Sequence, residues 1–106
     1  MAKYLVQASY TAEGLKGVMK DKGAGRVAAA KKAIASVGGK MDAMYWALGE
    51  DDVIVIADLP DAVSAAALGM SISATGLVRT RTTRLLTADE LDSALTKTVT
   101  YRAPGK

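Results

Sequence analysis

Residues 40–60 read KMDAMYWALGEDDVIVIADLP, two strand-like runs joined by a short acidic turn. Before the turn, Met41, Ala43, Tyr45 and Ala47 alternate with Asp42, Met44, Trp46 and Leu48, the period of two that a pleated strand requires. After it, Val53 to Ala57 is apolar without a break. A strand apolar on both sides has to be covered on both sides, which places it in the middle of a sheet. Gly49 to Asp52 leaves a four-residue connection, a usual hairpin length.

Upstream, Lys3 to Tyr10 alternates as a strand, with Tyr4, Val6, Ala8 and Tyr10 on one face and Lys3, Leu5, Gln7 and Ser9 on the other. Thr11 is placed as a helix N-cap. Leu15, Val18 and Met19 have helical spacing, weakened by Gly14 and Gly17. Lys22-Gly23-Ala24-Gly25 predicts a break, and Arg26 to Val37 a stronger helix with Val27, Ala30, Ile34 and Val37 on one stripe. That stripe is small, so the helix is expected close against a sheet. Gly38-Gly39 provides its stop.

Downstream, Pro60-Asp61 opens a helix to about Ala74, with Val63, Ala66, Ala67, Met70 and Ala74 as its expected buried face. Leu77 to Leu86 reads as a strand carrying Arg79, Arg81, Thr83 and Leu85 on one side and Val78, Thr80, Thr82, Arg84 and Leu86 on the other. Thr87-Ala-Asp-Glu90 is a capping box, predicting a short last helix from Ala88 to about Thr98. Residues 1–100 thus form one domain and residues 101–106 a polar tail.

The order β, broken α, β, β, α, β is that of an α+β, ferredoxin-like domain: a four-stranded antiparallel sheet with both helices on one face, followed by a C-terminal helix. Its second sheet face would be open and partly apolar. This predicts a homo-oligomer, most simply a two-fold dimer packed sheet on sheet, unless the last helix folds across that face.

Composition removes whole classes of chemistry. The 106 residues include no cysteine and no histidine, which eliminates thiolate nucleophiles, Ser-His pairs, zinc fingers and iron–sulfur clusters. The absence of cysteine, of a signal-peptide pattern and of any apolar run near the roughly 20 residues of a membrane span leads us to expect a soluble cytoplasmic protein. Net charge is +3, unevenly distributed: residues 1–40 carry eight basic and two acidic groups, residues 41–78 six acidic and no basic ones. Such blocks either solvate helices or favour self-association.

These stretches together resemble the GYD domain family, grouped with the dimeric α/β barrel superfamily. The likeness is carried by the opening KYLVQASYTAEGLK, the alanine-rich helix ending in VGGK, the aromatic strand, the Gly-x-x-Asp turn before the valine and isoleucine run, and the LPD helix start. The family turn reads Gly, acidic residue, Tyr, Asp; here Gly49, Glu50, Asp51 and Asp52 put an aspartate where the tyrosine would stand. The resemblance implies the fold and a dimeric barrel but no assigned biochemical function.

Several groups are candidates for chemistry. Tyr10, Tyr45 and Trp46, with Tyr4, are expected around an apolar cavity, with Gln7 as a polar contact. Arg79 and Arg81 share a face and suit a carboxylate or phosphate, provided they point into a pocket or an interface. Glu50, Asp51 and Asp52 lack the ligand spacing of a calcium loop and read as turn residues, so no metal site is assigned. RTRTTR is basic but lacks accompanying exposed aromatics, and Gly23-x-Gly25 follows a helix rather than a strand, so neither nucleic acid nor a dinucleotide cofactor is expected. Two functions follow. The first is a homo-oligomeric small-molecule-binding or assembly protein without cofactor. The second is a cofactor-independent oxygenase or isomerase acting on an aromatic or enolisable substrate, with Tyr10 or Tyr45 positioning an oxygen and Arg79 or Arg81 stabilising developing negative charge.

Overall fold

In the computed structural model, which describes all 106 residues, the elements run β1 (Ala2–Tyr10), α1 (Ala12–Ser36), β2 (Lys40–Trp46), β3 (Val53–Leu59), α2 (Ala62–Ser73), β4 (Val78–Leu85) and α3 (Ala88–Leu95). The strands make one antiparallel sheet in the order β2-β3-β1-β4. The fold is therefore the α+β, ferredoxin-like βαββαβ arrangement with an added C-terminal helix. The two strands that contain buried residues, β1 and β3, are central, as the unbroken Val53–Ala57 run requires of β3.

Ile34 of α1 and Ala65 and Leu68 of α2 join Tyr4, Val6 and Ala8 of β1 and Val53, Val55, Ala57 and Leu59 of β3 in one buried cluster, which puts both helices on the same sheet face. The opposite face holds none of the buried residues: Leu5, Gln7, Ile54 and Ile56 are half-buried and Arg79 and Arg81 exposed. No helix is long and apolar enough to cross a membrane.

The helix ends follow their local chemistry. Thr11 Oγ1 accepts the Gly14 N–H at 3.2 Å and Asp61 Oδ1 the Ser64 N–H at 2.7 Å. The Ser64 N–H holds the Asp61 carboxyl below its ordinary pKa. Thr87 and Glu90 form the expected capping box, each accepting the other's backbone N–H. Gly38 ends α1 at φ +81°, a conformation closed to most side chains.

α1 breaks at Lys22, whose φ of 61° and ψ of 176° lie in a region occupied almost only by glycine. Strain of that kind costs on the order of 1–3 kcal/mol and has to be held by the surrounding structure. The break falls at the start of the expected Lys22–Gly25 interruption.

Three local readings are corrected. The register between β2 and β3 shifts between Met41 and Ala43, so Met41 opposes Ala57, Met44 opposes Val55 and Trp46 opposes Val53 on the helix side, while Ala43 and Tyr45 oppose Ile56 and Ile54 on the open side. One extra residue at a bulge exchanges the faces on either side of it. In α2 the buried pair is Ala65 and Leu68 with Ile72 against the core, not the Val63, Ala66, Ala67, Met70 and Ala74 stripe; Val63 and Met70 are exposed. In the first segment of α1 the buried residue is Gly14 rather than Leu15 or Met19, both exposed. A Cβ on Gly14 would lie 2.0 Å from the Leu77 carbonyl oxygen, so glycine is what lets α1 meet the loop before β4. That same carbonyl accepts the Thr11 N–H at 3.0 Å.

α3 ends at Leu95, short of the expected Thr98, and buries none of its residues. Arg84 on β4 ties it to the sheet through Glu90, with Nη2 to Oε2 at 2.6 Å. Residues 96–106 form no helix or strand.

Candidate functional site

The end of β1 and the end of β2 bring Tyr10 and Trp46 together on the helix-covered side of the sheet. The Trp46 indole N–H donates to the Tyr10 hydroxyl oxygen at 3.3 Å. A Cβ on Gly23, just past the break in α1, would lie 3.9 Å from the indole ring. The aromatic pair therefore spans from the sheet to the place where α1 breaks. The bulge in β2 is what delivers Trp46 to this side.

Beside Tyr10, a cleft of about 420 Å³ opens between the two segments of α1, α2 and the start of β4. Val18, Ala33, Leu68 and Ile72 supply apolar walls, and Asp21 and Arg26 are its charged residues. Next to it, between α1 and the sheet, lies a half-open chamber of about 120 Å³ walled by Val6, Ala8, Met44, Val53 and Val55. Tyr10, Arg26, Ala33, Ile72 and Val78 border both spaces. The small residues of the second α1 segment create this room: Ala29, Ala30 and Ala33 stand where larger side chains would have filled the layer between helix and sheet.

Arg26 enters this apolar setting from the first turn after the break. Its Nε is buried and meets no acceptor. Its Nη1 lies 3.5 Å from Asp21 Oδ2, at the outer limit of a hydrogen bond. A buried donor without an acceptor has given up its hydrogen bond to water with nothing in return.

The open face is organised differently. Register places Gln7 beside Arg81 and Ser9 beside Arg79. The turn folds Asp51 onto this group. Asp51 Oδ2 accepts from Gln7 Nε2 at 3.1 Å and from Arg81 Nη2 at 2.5 Å, and Oδ1 accepts from Ser9 Oγ at 3.4 Å. The Asp51 hydrogen bond and charge raise the Arg81 pKa further above its ordinary value. Asp52 turns the other way: Oδ2 accepts the Tyr10 N–H at 2.8 Å, its own N–H donates to the Ala8 carbonyl at 2.9 Å and its carbonyl accepts the Ala47 N–H at 2.8 Å. The three carboxylates of the turn therefore do not converge, and no group of three acidic side chains is placed to hold a metal ion. Gly49 has neither a positive φ nor a close neighbour, so nothing in the turn's geometry demands glycine there.

The sequence-predicted site residues thus divide. Tyr10 and Trp46 lie on the covered side, while Gln7, Tyr45, Arg79 and Arg81 lie on the open side with Tyr45 66% exposed. Of the tyrosines and arginines named for an enzyme site, Tyr10 is separated from Arg79 and Arg81 by the sheet itself, whereas Tyr45 shares their face, in the same row as Arg81 with Ile54 of β3 and Gln7 of β1 between them.

The sequence model of the GYD domain matches residues 4–95, the βαββαβ unit from the third residue of β1 onwards together with α3. The chain belongs to the GYD domain family. No curated protein and no solved structure matches it. In this GYD protein Asp51 is a clamp across the open face, and Asp52 locks the hairpin turn to the end of β1.

Arg26 is the residue that sequence reasoning missed. The signal was present: Arg26, Ala30, Ala33 and Val37 recur at helical spacing, so a cation sits on the stripe turned towards the sheet. At the first residue of a predicted helix, as here, a long basic side chain ordinarily reaches solvent.

Proposed function

We propose that this GYD domain protein is a homo-oligomeric, small-molecule-binding protein of the cytoplasm, its ligand held in the cleft between α1, α2 and the sheet. The observation that carries the binding reading is the pair of adjacent spaces, about 420 and about 120 Å³, which small helix residues leave open in an otherwise apolar layer beside Tyr10 and Arg26. Binding sites are typically apolar hollows with a few directed polar groups of this kind. We assign Tyr10 and Trp46 to the ligand cleft.

Self-association is supported by the open face. Leu5, Ile54, Ile56 and Ala43 form an apolar strip there, and α3 does not bury itself against it. Gln7, Arg79 and Arg81 border the strip, and Tyr45 stands on it, so we assign these four to the contact between copies. A two-fold axis through the strip would bury it on its own equivalent.

Two measurements test the reading. Light scattering from micromolar to millimolar concentration should give a defined oligomer; a monomer throughout would exclude the sheet-on-sheet contact. Thermal melting against a panel of small aromatic and aliphatic metabolites should show a ligand that raises the midpoint, because binding to the folded state alone stabilises it. A panel without effect, neutral and charged compounds alike, would exclude the binding role.

A further inference from the structure

We infer that the ligand of the covered cleft is a monocarboxylate with a small apolar body, its carboxylate held by Arg26 and Tyr10 and its body lodged in the adjacent chamber. The inference rests on the ligand-binding reading above and supplies the chemical class.

Arg26 is the starting point. Its Nε–H is buried without an acceptor, and its remaining contact, to Asp21, is 3.5 Å long. A guanidinium presents Nε–H and Nη–H side by side, a fork that fits the two oxygens of a carboxylate. The second donor comes from the aromatic pair. Because the Trp46 indole N–H donates to the Tyr10 oxygen, the Tyr10 hydroxyl proton is free to be given elsewhere. Tyr10 and Arg26 both border the cleft and the chamber, so the two residues stand where a ligand would pass from one space to the other.

Charge selects among anions. Arg26 is the only cation bordering either space and Asp21 the only carboxylate. With Asp21 beside it the Arg26 site is already neutral, so each negative charge a ligand brings meets repulsion from Asp21. A monocarboxylate meets about half of what a phosphate dianion would, and no further cation is there to offset the second charge. Size selects the body. The chamber holds about 120 Å³ between Val6, Ala8, Met44, Val53 and Val55. An apolar cavity of roughly 150 Å³ accommodates benzene, so one small ring or a short branched chain is the limit. The strained Lys22 backbone, four residues before Arg26, fits this assignment, since it is the break at Lys22 that starts the segment carrying the guanidinium.

The test pairs acids with their neutral amides. Benzoate, phenylacetate and isovalerate, each beside its amide, are titrated into the protein and followed by the backbone amide resonances of the cleft. The acids should bind more tightly than the amides. Arg26→Gln should weaken them by about tenfold to a hundredfold, the range for a hydrogen bond to a charged partner, and leave the amides unchanged. Tyr10→Phe should narrow the preference for acids by a smaller factor. Should Arg26→Gln not fold, the acid-to-amide ratio in the wild type and in Tyr10→Phe decides the matter. Acids and amides binding alike, with no response to Arg26→Gln or Tyr10→Phe, would overturn the carboxylate assignment while leaving the binding role intact. No shift of the cleft resonances with any of the six compounds, while another compound of the broader panel raises the melting midpoint, would also overturn the assignment and leave the role; silence in both experiments would overturn both.

Discussion

On the open face of the sheet Arg81 meets Asp51 at 2.5 Å and Lys3 lies between Asp42 and Asp58, 3.1 Å from the latter, whereas on the covered face Arg26 carries a buried Nε–H with no acceptor. The same four strands therefore present two kinds of surface. The open face carries ion pairs at both ends of an apolar strip, the strip proposed above as the contact between copies. The covered face contains the core, a hollow, and one donor left for something else. A charge that already has a partner is a poor ligand site, and this is why Arg81, prominent in the sequence but paired with Asp51, is less suited to binding an anion than the single arginine of α1.

The largest effect that would separate the faces is on stability. Leu59 is fully buried on the covered side, so Leu59→Ala should lower the unfolding free energy by about 2–5 kcal/mol in urea titrations at any protein concentration. Ile56→Asp, on the open side, should instead abolish association in light scattering while the dilute protein keeps a near-normal midpoint. Equal losses of stability at high dilution would break the distinction.

A second contrast lies within α1. Gly14→Ala forces a methyl group to within 2.0 Å of the Leu77 carbonyl oxygen and should destabilise by about 1–3 kcal/mol. Gly17 also borders the cleft, but a Cβ there has open space, so Gly17→Ala should stabilise by up to about 1 kcal/mol through helix propensity alone. Thermal melts of the two variants should therefore move in opposite directions; a shared direction would show that the start of α1 is not packed as described.

The smallest effect concerns α3, which neither face buries. The Arg84 hydrogen bond, helped by the Thr87 N–H, lowers the Glu90 pKa from 4.5 to about 2. A carboxyl whose pKa falls on folding adds stability above its unfolded value, and that contribution is lost as the pH drops through the folded one. Hydrogen exchange in α3 should therefore accelerate as pH falls from about 4.5 to about 2 beyond the intrinsic rate change. Glu90→Gln should remove that dependence. Protection unchanged across this window would show that the Arg84–Glu90 pair does not anchor the helix.

Much of the fold was legible because its signals are local. Alternation in Tyr4, Val6 and Ala8 set the phase of β1, and Thr11, Asp61 and the Thr87–Glu90 pair marked helix starts through contacts three residues away. The candidate site was legible only in part. Tyr10 and Trp46 were named, but their meeting depended on the register shift after Met41, which alternation in one strand does not reveal. In α2, alanines on every side left the hydrophobic period without a clear phase, and the packing of Ala65, Leu68 and Ile72 resolved it.

By itself the sequence determined the element order, the central place of the Val53–Ala57 strand, the helix caps and the family, since periodicity, capping and turn chemistry act over a few residues. Only the tertiary structure decided which charges are satisfied. Asp51 reaches Arg81 across 30 positions of chain, while Arg26 finds just a distant Asp21. Whether a charge has a partner depends on distances between elements, and those arise only when the helices settle on the sheet.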